Sequence, residues 1–254
     1  MEAYALGKPG EPLGAFIAAL VAIEVGHLVA GKTKVDIIIT PLVSILSGAV
    51  VGLVAGPPIT AFMAWVGAIV NFNVELHPII GGIIVSVLMG MILTLPISSA
   101  AIGVSMGITG LAAGAATIGC CCNMVGFAVA SYRENKVGGL IAQGVGTSML
   151  QVPNIVRKPI IWLPAIISSA ILGPVASAVL GMTSTPVGSG MGSAGFVGQF
   201  AAYGAMIESG KSGVMSILLI VVMHFILPAV ITLLVSELMR KKGWIKEGDM
   251  KLDV

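Results

Sequence analysis

The sequence predicts an all-α membrane protein: a polytopic bundle of about six to eight helices that cross the bilayer, with two re-entrant segments. Hydrophobic residues make up 57% of the chain and charged residues only 9%, whereas a soluble domain carries about 25% charged residues. The mean hydropathy of +1.06 agrees with this composition. Since each crossing uses about 20 apolar residues, a chain of 254 residues has room for such a bundle.

The charge and the cysteines exclude several other classes of protein. A net charge of +2 is too small to indicate a nucleic-acid partner. Cys120, Cys121 and Cys122 are consecutive within an apolar run, so they cannot form the spaced framework of a disulfide-rich secreted protein. We interpret them as inert small side chains, because a reactive thiol needs exposure. The N-terminus has neither the basic start nor the cleavage site of a signal peptide.

The first two spans are predicted at residues 12–30 and 35–54. The second carries Gly48, Gly52 and Gly56 at a spacing of four, which in an apolar helix forms a flat groove where another helix can approach closely. This groove would suit a homodimer. In the alternative interpretation, the glycines have no such role, since glycine is common in membrane helices.

Further along the chain, prolines and apolar runs predict the remaining spans. Pro57 and Pro58 are expected to interrupt the helix, so residues 59–70 are predicted as a short span or an interfacial helix. Residues 97–109 are rich in small and hydroxyl side chains. Strongly apolar runs predict spans at residues 78–95, 110–130, 159–180 and 213–238.

Two stretches between these spans are too polar and too rich in glycine to face lipid. Residues 137–154 contain four glycines together with Gln143 and Gln151, and residues 182–212 contain the run TSTPVGSGMGSAGFVGQ. Irregular backbone is tolerated at bilayer depth only where it is buried in protein or lines a cavity. We therefore predict a re-entrant segment in each stretch.

The positions of the basic residues predict the orientation. When the spans are threaded alternately, 11 of the 13 Lys and Arg residues fall on one side of the membrane, and only Lys8 and Lys211 fall on the other. By the positive-inside rule, the side rich in positive charge is the cytoplasm. The prediction is therefore a short extracellular N-terminus at residues 1–11, a transmembrane domain at 12–239 and a cytoplasmic tail at 240–254.

The sequence contains no phosphate-binding loop, no nucleophile elbow and no Cys or His pair at metal-ligand spacing. We therefore expect no metal, no cofactor and no catalytic site that acts alone. Polar groups inside apolar runs are the functional candidates instead. Glu24 lies near the middle of the first span, and His27 shares its face. This pair could bind a sugar hydroxyl, a proton or a cation, or it could be a buried structural pair. His224 is expected to bond a carbonyl freed by Pro228.

Uncharged solutes are recognised by amide and hydroxyl groups held on irregular backbone inside a cavity. The polar stretches are therefore expected to line a solute pathway, although small hydroxyl residues can also serve tight helix packing. Besides Glu24 and His27, the candidate contacts are Ser98, Ser99, Asn123, Gln143, Gln151, Asn154, Thr185, Ser189, Ser193 and Gln199. The segments TLPISSAAIG and TPVGSGMGSAG share Thr, Pro and small residues, which is consistent with a loose internal repeat.

Several segments together resemble a known family. They are SILSGAVVGLVAGPPI, MILTLPISSAAIGVSMGITGLAAGAATIG, VPNIVRKPIIWLPAIISSAI and TPVGSGMGSAGFVGQ. From about Gly14 to Gln199 the chain is similar to the membrane component IIC of the phosphoenolpyruvate-dependent sugar phosphotransferase system, and more narrowly to the IIC-like branch that includes the perfringolysin regulatory protein. Family members begin with additional helices before the position that matches Pro12, so the resemblance implies a chain shortened at its N-terminus.

The resemblance implies a permease of the bacterial plasma membrane that binds a sugar or sugar derivative within the bilayer. In such systems a cytoplasmic IIB subunit, itself phosphorylated by IIA, passes phosphate to the sugar as it is delivered inside. A IIC subunit usually contributes an embedded acid and a His, and Glu24 and His27 are residues of that type.

Two other functions stay open at this point. One is a membrane sensor or regulator that keeps the fold without transporting. The other is an ion-coupled secondary transporter with Glu24 and His27 as its proton site.

Overall fold

The computed structural model describes residues 12–252. These residues are 83% helical and contain no strand. The α-helices in this part of the chain are α1 (Pro12–Val29), α2 (Asp36–Leu76), α3 (Pro78–Thr94), α4 (Ser99–Met106), α5 (Gly110–Ala130), α6 (Tyr132–Ile141), α7 (Val152–Arg157), α8 (Leu163–Pro174), α9 (Pro186–Met191), α10 (Val197–Glu208), α11 (Gly213–Ile220) and α12 (Leu227–Lys241). Short π turns lie at Ala142–Gly146, Val175–Val179 and Val221–Ile226.

Five helical stretches in the described part are long and apolar enough to cross a membrane. They are α1, α2, α5, the stretch Pro159–Val179 that contains α8, and the stretch Gly213–Lys241 that contains α11 and α12. α3 is also apolar but shorter. The predicted all-α polytopic bundle is therefore confirmed, and the predicted spans at residues 12–30 and 110–130 agree closely with α1 and α5.

The described chain forms two compact units. Unit 1 comprises the residues up to Gly67 together with Val104–Gly107. Unit 2 comprises Ala68–Gly103 and the residues from Ile108 onwards. Unit 2 contains most of the candidate residues.

In unit 1, α1 packs along the glycine groove of α2. A methyl group added at Gly48 would lie 3.0 Å from Ala22 Cβ, and one added at Gly52 would lie 3.6 Å from Ala18 Cβ. The glycines therefore allow close helix packing, as the spacing predicts. Because α1 of the same chain occupies this groove, the homodimer stays a prediction without support from the groove.

The expected interruption of α2 at its prolines is wrong. α2 is one helix of 41 residues that continues through Pro57 and Pro58. The φ angle of proline fits a helix, and in membrane helices the carbonyls that lose their N–H donors can be satisfied by neighbouring helices, hydroxyl side chains or water. Just after the prolines, the Thr60 hydroxyl donates to the Gly56 carbonyl over 3.0 Å. Residues 59–70 are thus a continuation of the second span.

The buried centre of unit 2 is α5, which packs against α3, α8 and α12. Small residues allow this proximity. A methyl group added at Gly119 would overlap the backbone of Ser86, and one added at Gly126 would lie 2.7 Å from Thr232 Oγ1. The three cysteines at 120–122 are fully buried in this helix, as expected for packing residues.

Candidate functional site

Unit 2 contains three hairpins that enter from its two ends and meet beside the middle of α5. The two ends are named here after the terminal residues of α5, the Gly110 end and the Ala130 end. Each hairpin begins and finishes at the same end, and its tip contacts the middle of α5. Such irregular backbone is tolerated at bilayer depth only inside protein.

The first hairpin begins with α3 at the Gly110 end and returns to that end at Thr109. Close to its start, the Ser177 hydroxyl donates to the Pro78 carbonyl over 2.6 Å. At its tip, the Thr94 hydroxyl lies 3.2 Å from Asn123 Oδ1. Asn123 is about 20 Å along α5 from Gly110, so α3 stops short of the Ala130 end.

The prediction of a full crossing at residues 78–95 is therefore wrong, although the helix itself lies where it was predicted. α3 ends at Thr94 because the chain must turn before Pro96, and α4 then leads back. Apolar composition shows that a segment is buried, but it does not distinguish a crossing from a hairpin that enters and leaves at one end.

The second hairpin agrees with the re-entrant segment predicted at residues 182–212. It begins where the Ser184 amide donates to the carbonyl of the first residue of α5 over 3.2 Å. It ends near Lys211, whose ammonium group donates to the Leu180 carbonyl over 3.1 Å. At the tip, Gly192 has a φ of +51°, and a methyl group there would lie 2.7 Å from Cys120 Cβ. Only glycine suits both the backbone angle and the close approach.

The third hairpin enters from the Ala130 end and agrees with the re-entrant segment predicted at residues 137–154. Its π turn and a 3-10 turn at Ser148–Gln151 provide the irregular backbone. The Ser193 hydroxyl donates to the Gly144 carbonyl over 2.6 Å. Ser148 Oγ lies 2.9 Å from Thr94 Oγ1. The tip of this hairpin therefore contacts the tips of the other two.

Asn123 on α5 is the centre of this meeting point. It is fully buried, and its Oδ1 accepts hydrogen bonds from Trp162 Nε1 at 2.8 Å and from Thr94 Oγ1. Its Nδ2 donates to the Gly119 carbonyl over 3.1 Å. The surrounding groups are amides and hydroxyls without formal charge, which is the chemistry that recognises a polar, uncharged solute.

The two segments of the loose repeat pack against each other beside this centre. The Ser99 hydroxyl donates to the Gly190 carbonyl over 2.5 Å. The Ser189 carbonyl accepts a hydrogen bond from Cys120 Sγ at 3.4 Å. Ser99 and Ser189 are both buried, so these two predicted contacts lie in one layer with the middle of α5.

Two other predicted contacts act locally as helix caps. Ser98 is exposed, and its hydroxyl accepts from the Ala101 amide over 3.2 Å. Thr185 Oγ1 accepts from the Gly188 amide over 3.3 Å at the start of α9. Both bonds satisfy N-terminal amides of short helices, so a role in solute contact stays a prediction for these residues.

Gln199 on α10 pairs with the last span. Its Nε2 lies 3.0 Å from His224 Nδ1 and 3.5 Å from Cys121 Sγ. His224 is buried in the π turn Val221–Ile226, and π turns are frequent at functional sites. The expectation that His224 bonds a carbonyl freed by Pro228 differs from the structure, in which Gln199 is the partner of Nδ1.

Gln143, Gln151 and Asn154 form a chain of amides towards the Ala130 end. Gln151 Nε2 donates to Gln143 Oε1, and Asn154 Nδ2 donates to Gln151 Oε1, each over 2.9 Å. The same two donors also bond the carbonyls of Met250 and Lys251 at 3.0 and 2.9 Å. Because these amides already bond the protein itself, their role as solute contacts stays a prediction.

The C-terminal segment, residues 245–252, is packed rather than free. Ile245, Met250 and Leu252 are buried, and Asp249 forms an ion pair with Lys158. Partial desolvation acts to raise the pKa of Asp249, but hydrogen bonds and charge from Lys158 and from residue 246 lower it below its ordinary value of 3.8. The sequence predicts only a polar tail, because the spacing of its three apolar residues does not show what covers them.

Positive charge concentrates at the Ala130 end of unit 2. Arg133 pairs with Glu237 over 2.9 Å, and Arg240 pairs with Glu134 over 2.8 Å. The basic residues at or next to this end in the described chain are Arg133, Lys136, Arg157, Lys158, Arg240, Lys241, Lys242, Lys246 and Lys251. Lys211 lies at the opposite end. This distribution agrees with the partition used to predict the orientation.

Glu24 and His27 belong to unit 1, whereas the other candidates belong to unit 2. Both side chains are exposed on α1, and no hydrogen bond or ion pair joins either one to another described residue. The interpretation as a buried structural pair is therefore wrong. Their roles in solute or proton binding stay a proposal.

Thr94, Ser148 and Trp162 belong to the centre but were not predicted. Thr94 and Ser148 lie inside segments that the sequence marks as polar, so their hydroxyls could have been included. Trp162 follows Lys158 and Pro159 at the start of a span, a position typical of an interfacial anchor. Its contact with Asn123 spans 39 residues of sequence and has no local signal.

Comparison with known proteins gives a family. A family model described as "Phosphotransferase system, EIIC" matches residues 1–252. No curated protein and no solved structure matches the chain. The family match covers nearly the whole chain and agrees with the helical membrane fold. The chain therefore belongs to the EIIC family of the phosphotransferase system, whose members are multi-pass membrane proteins.

Proposed function

We propose that the protein is a sugar permease subunit that binds a sugar or sugar derivative where the three hairpin tips meet, beside Asn123. The sugar would pass towards the Ala130 end. There a cytoplasmic IIB protein, phosphorylated by IIA, would transfer phosphate to it. The bacterial plasma membrane is the proposed location, with the Ala130 end and the C-terminus in the cytoplasm.

The single observation that carries this proposal is the contact between hairpins from opposite ends at a buried, uncharged polar centre. Thr94 belongs to a hairpin from the Gly110 end and Ser148 to the hairpin from the Ala130 end, and their hydroxyls lie 2.9 Å apart. If either hairpin moved away from the polar centre, the centre would open to only one side of the membrane. Such alternate exposure of a fixed site is how transporters built on broken helices work.

Uptake into vesicles tests this proposal. Inverted and right-side-out vesicles containing the full chain would be supplied with phosphorylated IIA, with IIB and with a panel of labelled sugars. We expect uptake of at least one sugar, and stabilisation of the purified protein by the same sugar. Asn123→Ala should abolish both effects, because it removes the central amide.

Asn73→Ala is the matched control. Asn73 is exposed, and its Nδ2 donates only to the Ile69 carbonyl one turn earlier. It should retain uptake and stabilisation. Absence of uptake and of sugar-dependent stabilisation across the whole panel would count against the proposal, whether or not the Asn123 variant folds.

A sensor function is the second candidate, and the packed C-terminal segment favours it. Gln151 and Asn154 bond this segment as well as each other, so a solute that engaged these amides would compete with it. A sensor would show sugar-dependent exposure of residues 245–252 without sugar uptake. Exposure measured by hydrogen exchange, together with the vesicle assay, separates the two functions.

A further inference from the structure

The C-terminal segment, residues 245–252, lies across the third hairpin and bonds it through its own backbone. At the start of the hairpin, Asn135 Nδ2 donates to the Met250 carbonyl over 2.8 Å. The same side chain accepts from the Leu252 amide through Oδ1 over 2.9 Å. One amide side chain therefore bonds two backbone groups of the segment, as a neighbouring β-strand would.

The returning side of the hairpin bonds the same segment. Gln151 Nε2 and Asn154 Nδ2 donate to two consecutive carbonyls of the segment over 3.0 and 2.9 Å. Just beyond them, Lys158 forms an ion pair with Asp249. The segment is consequently bonded to both sides of the hairpin at its base.

Apolar contacts connect the segment to the polar centre. Ile245 and Met250 are buried in one cluster with Ile155, which follows the hairpin, and Trp162 packs against that cluster. The indole of Trp162 donates to Asn123 Oδ1 over 2.8 Å. Packing of the segment is therefore linked to the position of a side chain that bonds the centre.

Arg240 fixes the other end of the segment to the last span and to α5. Its Nη2 donates to the Ala130 carbonyl over 3.1 Å and to Glu134 Oε1 over 2.8 Å. Its Nη1 donates to the Lys246 carbonyl over 3.5 Å, and Nη2 lies 3.8 Å from Met250 Sδ. The segment thus bridges a fixed helix end and the base of the hairpin.

This bridge restrains the third hairpin. The tip of the hairpin contacts the centre through Ser148 and Thr94, and its base is bonded to the segment. The hairpin cannot move relative to the last span unless one of the two sets of bonds made by the segment breaks. Water replaces such bonds on release, so each one contributes little net free energy, and the contact can be both made and broken.

We propose that the C-terminal segment is an autoinhibitory contact: the polar centre opens towards the Ala130 end only after residues 245–252 have left the base of the third hairpin. The inference rests on the proposed function, because it assigns the segment control over access to the proposed sugar site. It differs from the sensor function, in which the sugar displaces the segment, since here the segment restrains the hairpin whether or not sugar is bound.

Hydrogen exchange without sugar tests this restraint in the unmodified protein. The Leu252 amide reports release of the segment, because it donates to Asn135. The Thr147 amide, next to Ser148 at the tip, donates to the Ala142 carbonyl over 2.8 Å and reports movement of the hairpin. If the hairpin moves only after release, exchange at Thr147, corrected for intrinsic rates, cannot be faster than at Leu252. Faster corrected exchange at Thr147 would overturn the proposal.

Thiol labelling of Ser148→Cys gives a second readout, followed at this position by mass spectrometry in vesicles of each orientation. Asn135→Ala removes both bonds that this amide makes with the segment. A water-soluble maleimide should then modify position 148 several-fold faster from the Ala130 side and no faster from the Gly110 side. Faster modification from both sides would indicate general destabilisation and contradict the proposal.

Glu237→Gln is the matched control. It breaks the ion pair with Arg133, which lies at the same end but does not include the C-terminal segment, so labelling at position 148 should not change. Deletion of residues 249–252 removes the bonded part of the segment outright and should accelerate labelling from the Ala130 side. Unchanged labelling after this deletion would overturn the proposal. If the deletion variant does not fold, the exchange rates of the unmodified protein decide.

The outcome is separable from that of the proposed function. Neither measurement includes sugar, IIA or IIB, so a vesicle without uptake can still show release of the hairpin. Conversely, sugar uptake together with unchanged labelling would refute the restraint and leave the permease function intact.

Discussion

Single glycines determine how closely the two repeat segments approach each other. Gly190 lies against the backbone of Ser99, and a methyl group at this position would overlap the Ser99 carbonyl and the Ala100 amide. The same contact contains the hydrogen bond from the Ser99 hydroxyl to the Gly190 carbonyl. Neither backbone can move without separating the two repeat segments, which pack against each other beside Cys120.

Gly190→Ala should therefore destabilise the protein by about 1–3 kcal/mol, the usual cost of forcing an extra carbon into a packed interior. Thermal unfolding in detergent would measure the change. Gly204→Ala is the control, because nothing lies within 4 Å of a methyl group at that position on α10. Its melting temperature should stay the same or rise, since alanine favours a helix over glycine by about 1 kcal/mol.

The role of a residue was predictable from the sequence only where a polar side chain lies within an apolar run. Asn123 is an amide inside an unbroken apolar run, so the sequence alone identifies it as a candidate. Its partner Trp162 and the pairing of Gln199 with His224 depend on helix packing between distant segments. For Glu24 and His27 the sequence was insufficient. Their spacing places them on one helix face, but it could not show that this face is exposed.

Among the elements, the C-terminal segment makes a pH-dependent contact. The carboxylate of Asp249 bonds Lys158 and the amide of residue 246, and its pKa in the folded protein is below the ordinary value of 3.8. Its contribution is complete above that ordinary value, and it is lost as the pH falls through the lower, folded value. Packing of residues 245–252 should therefore be insensitive to pH near neutrality and weaken below about pH 4.

Hydrogen exchange of the amides in residues 245–252, corrected for intrinsic rates, measures this packing. We expect protection at about pH 5 and reduced protection at about pH 3. In Asp249→Asn, the segment should exchange faster at the higher pH and show little further change on acidification. Identical protection of both proteins at every pH would rule out a role for this carboxylate.

Among the elements, helix positions were predictable where a segment is long and apolar. α1 and α5 lie where hydropathy places them. The prolines of α2 misled the prediction because prolines that interrupt helices elsewhere are tolerated in membrane helices, where other groups satisfy the freed carbonyls, and α2 is an apolar helix. The hairpin containing α3 was missed because a buried hairpin and a crossing have the same composition.

At the scale of the whole molecule, the arrangement of charge carries the proposed orientation. In unit 2 the ion pairs Arg133–Glu237, Arg240–Glu134 and Lys158–Asp249 all lie at the Ala130 end, while Lys211 lies at the Gly110 end. The described basic residues of unit 2 lie at the two ends as the sequence leads one to expect, because the partition depends only on the positions of basic clusters, and the orientation itself stays a prediction. The packing of those clusters around one C-terminal segment was not predictable.

Cysteine labelling on intact cells tests this orientation, and the protein offers a low background because its three cysteines are buried. Ser209 and Lys242 are exposed at the Gly110 and Ala130 ends. A membrane-impermeant maleimide added outside should modify Ser209→Cys and leave Lys242→Cys unmodified until the membrane is opened. The positive-inside rule requires this result, since the Ala130 end carries most of the positive charge of unit 2. The reverse pattern would place the Ala130 end outside the cell. Cytoplasmic IIB could then not reach the end at which the C-terminal segment bonds the amides of Gln151 and Asn154.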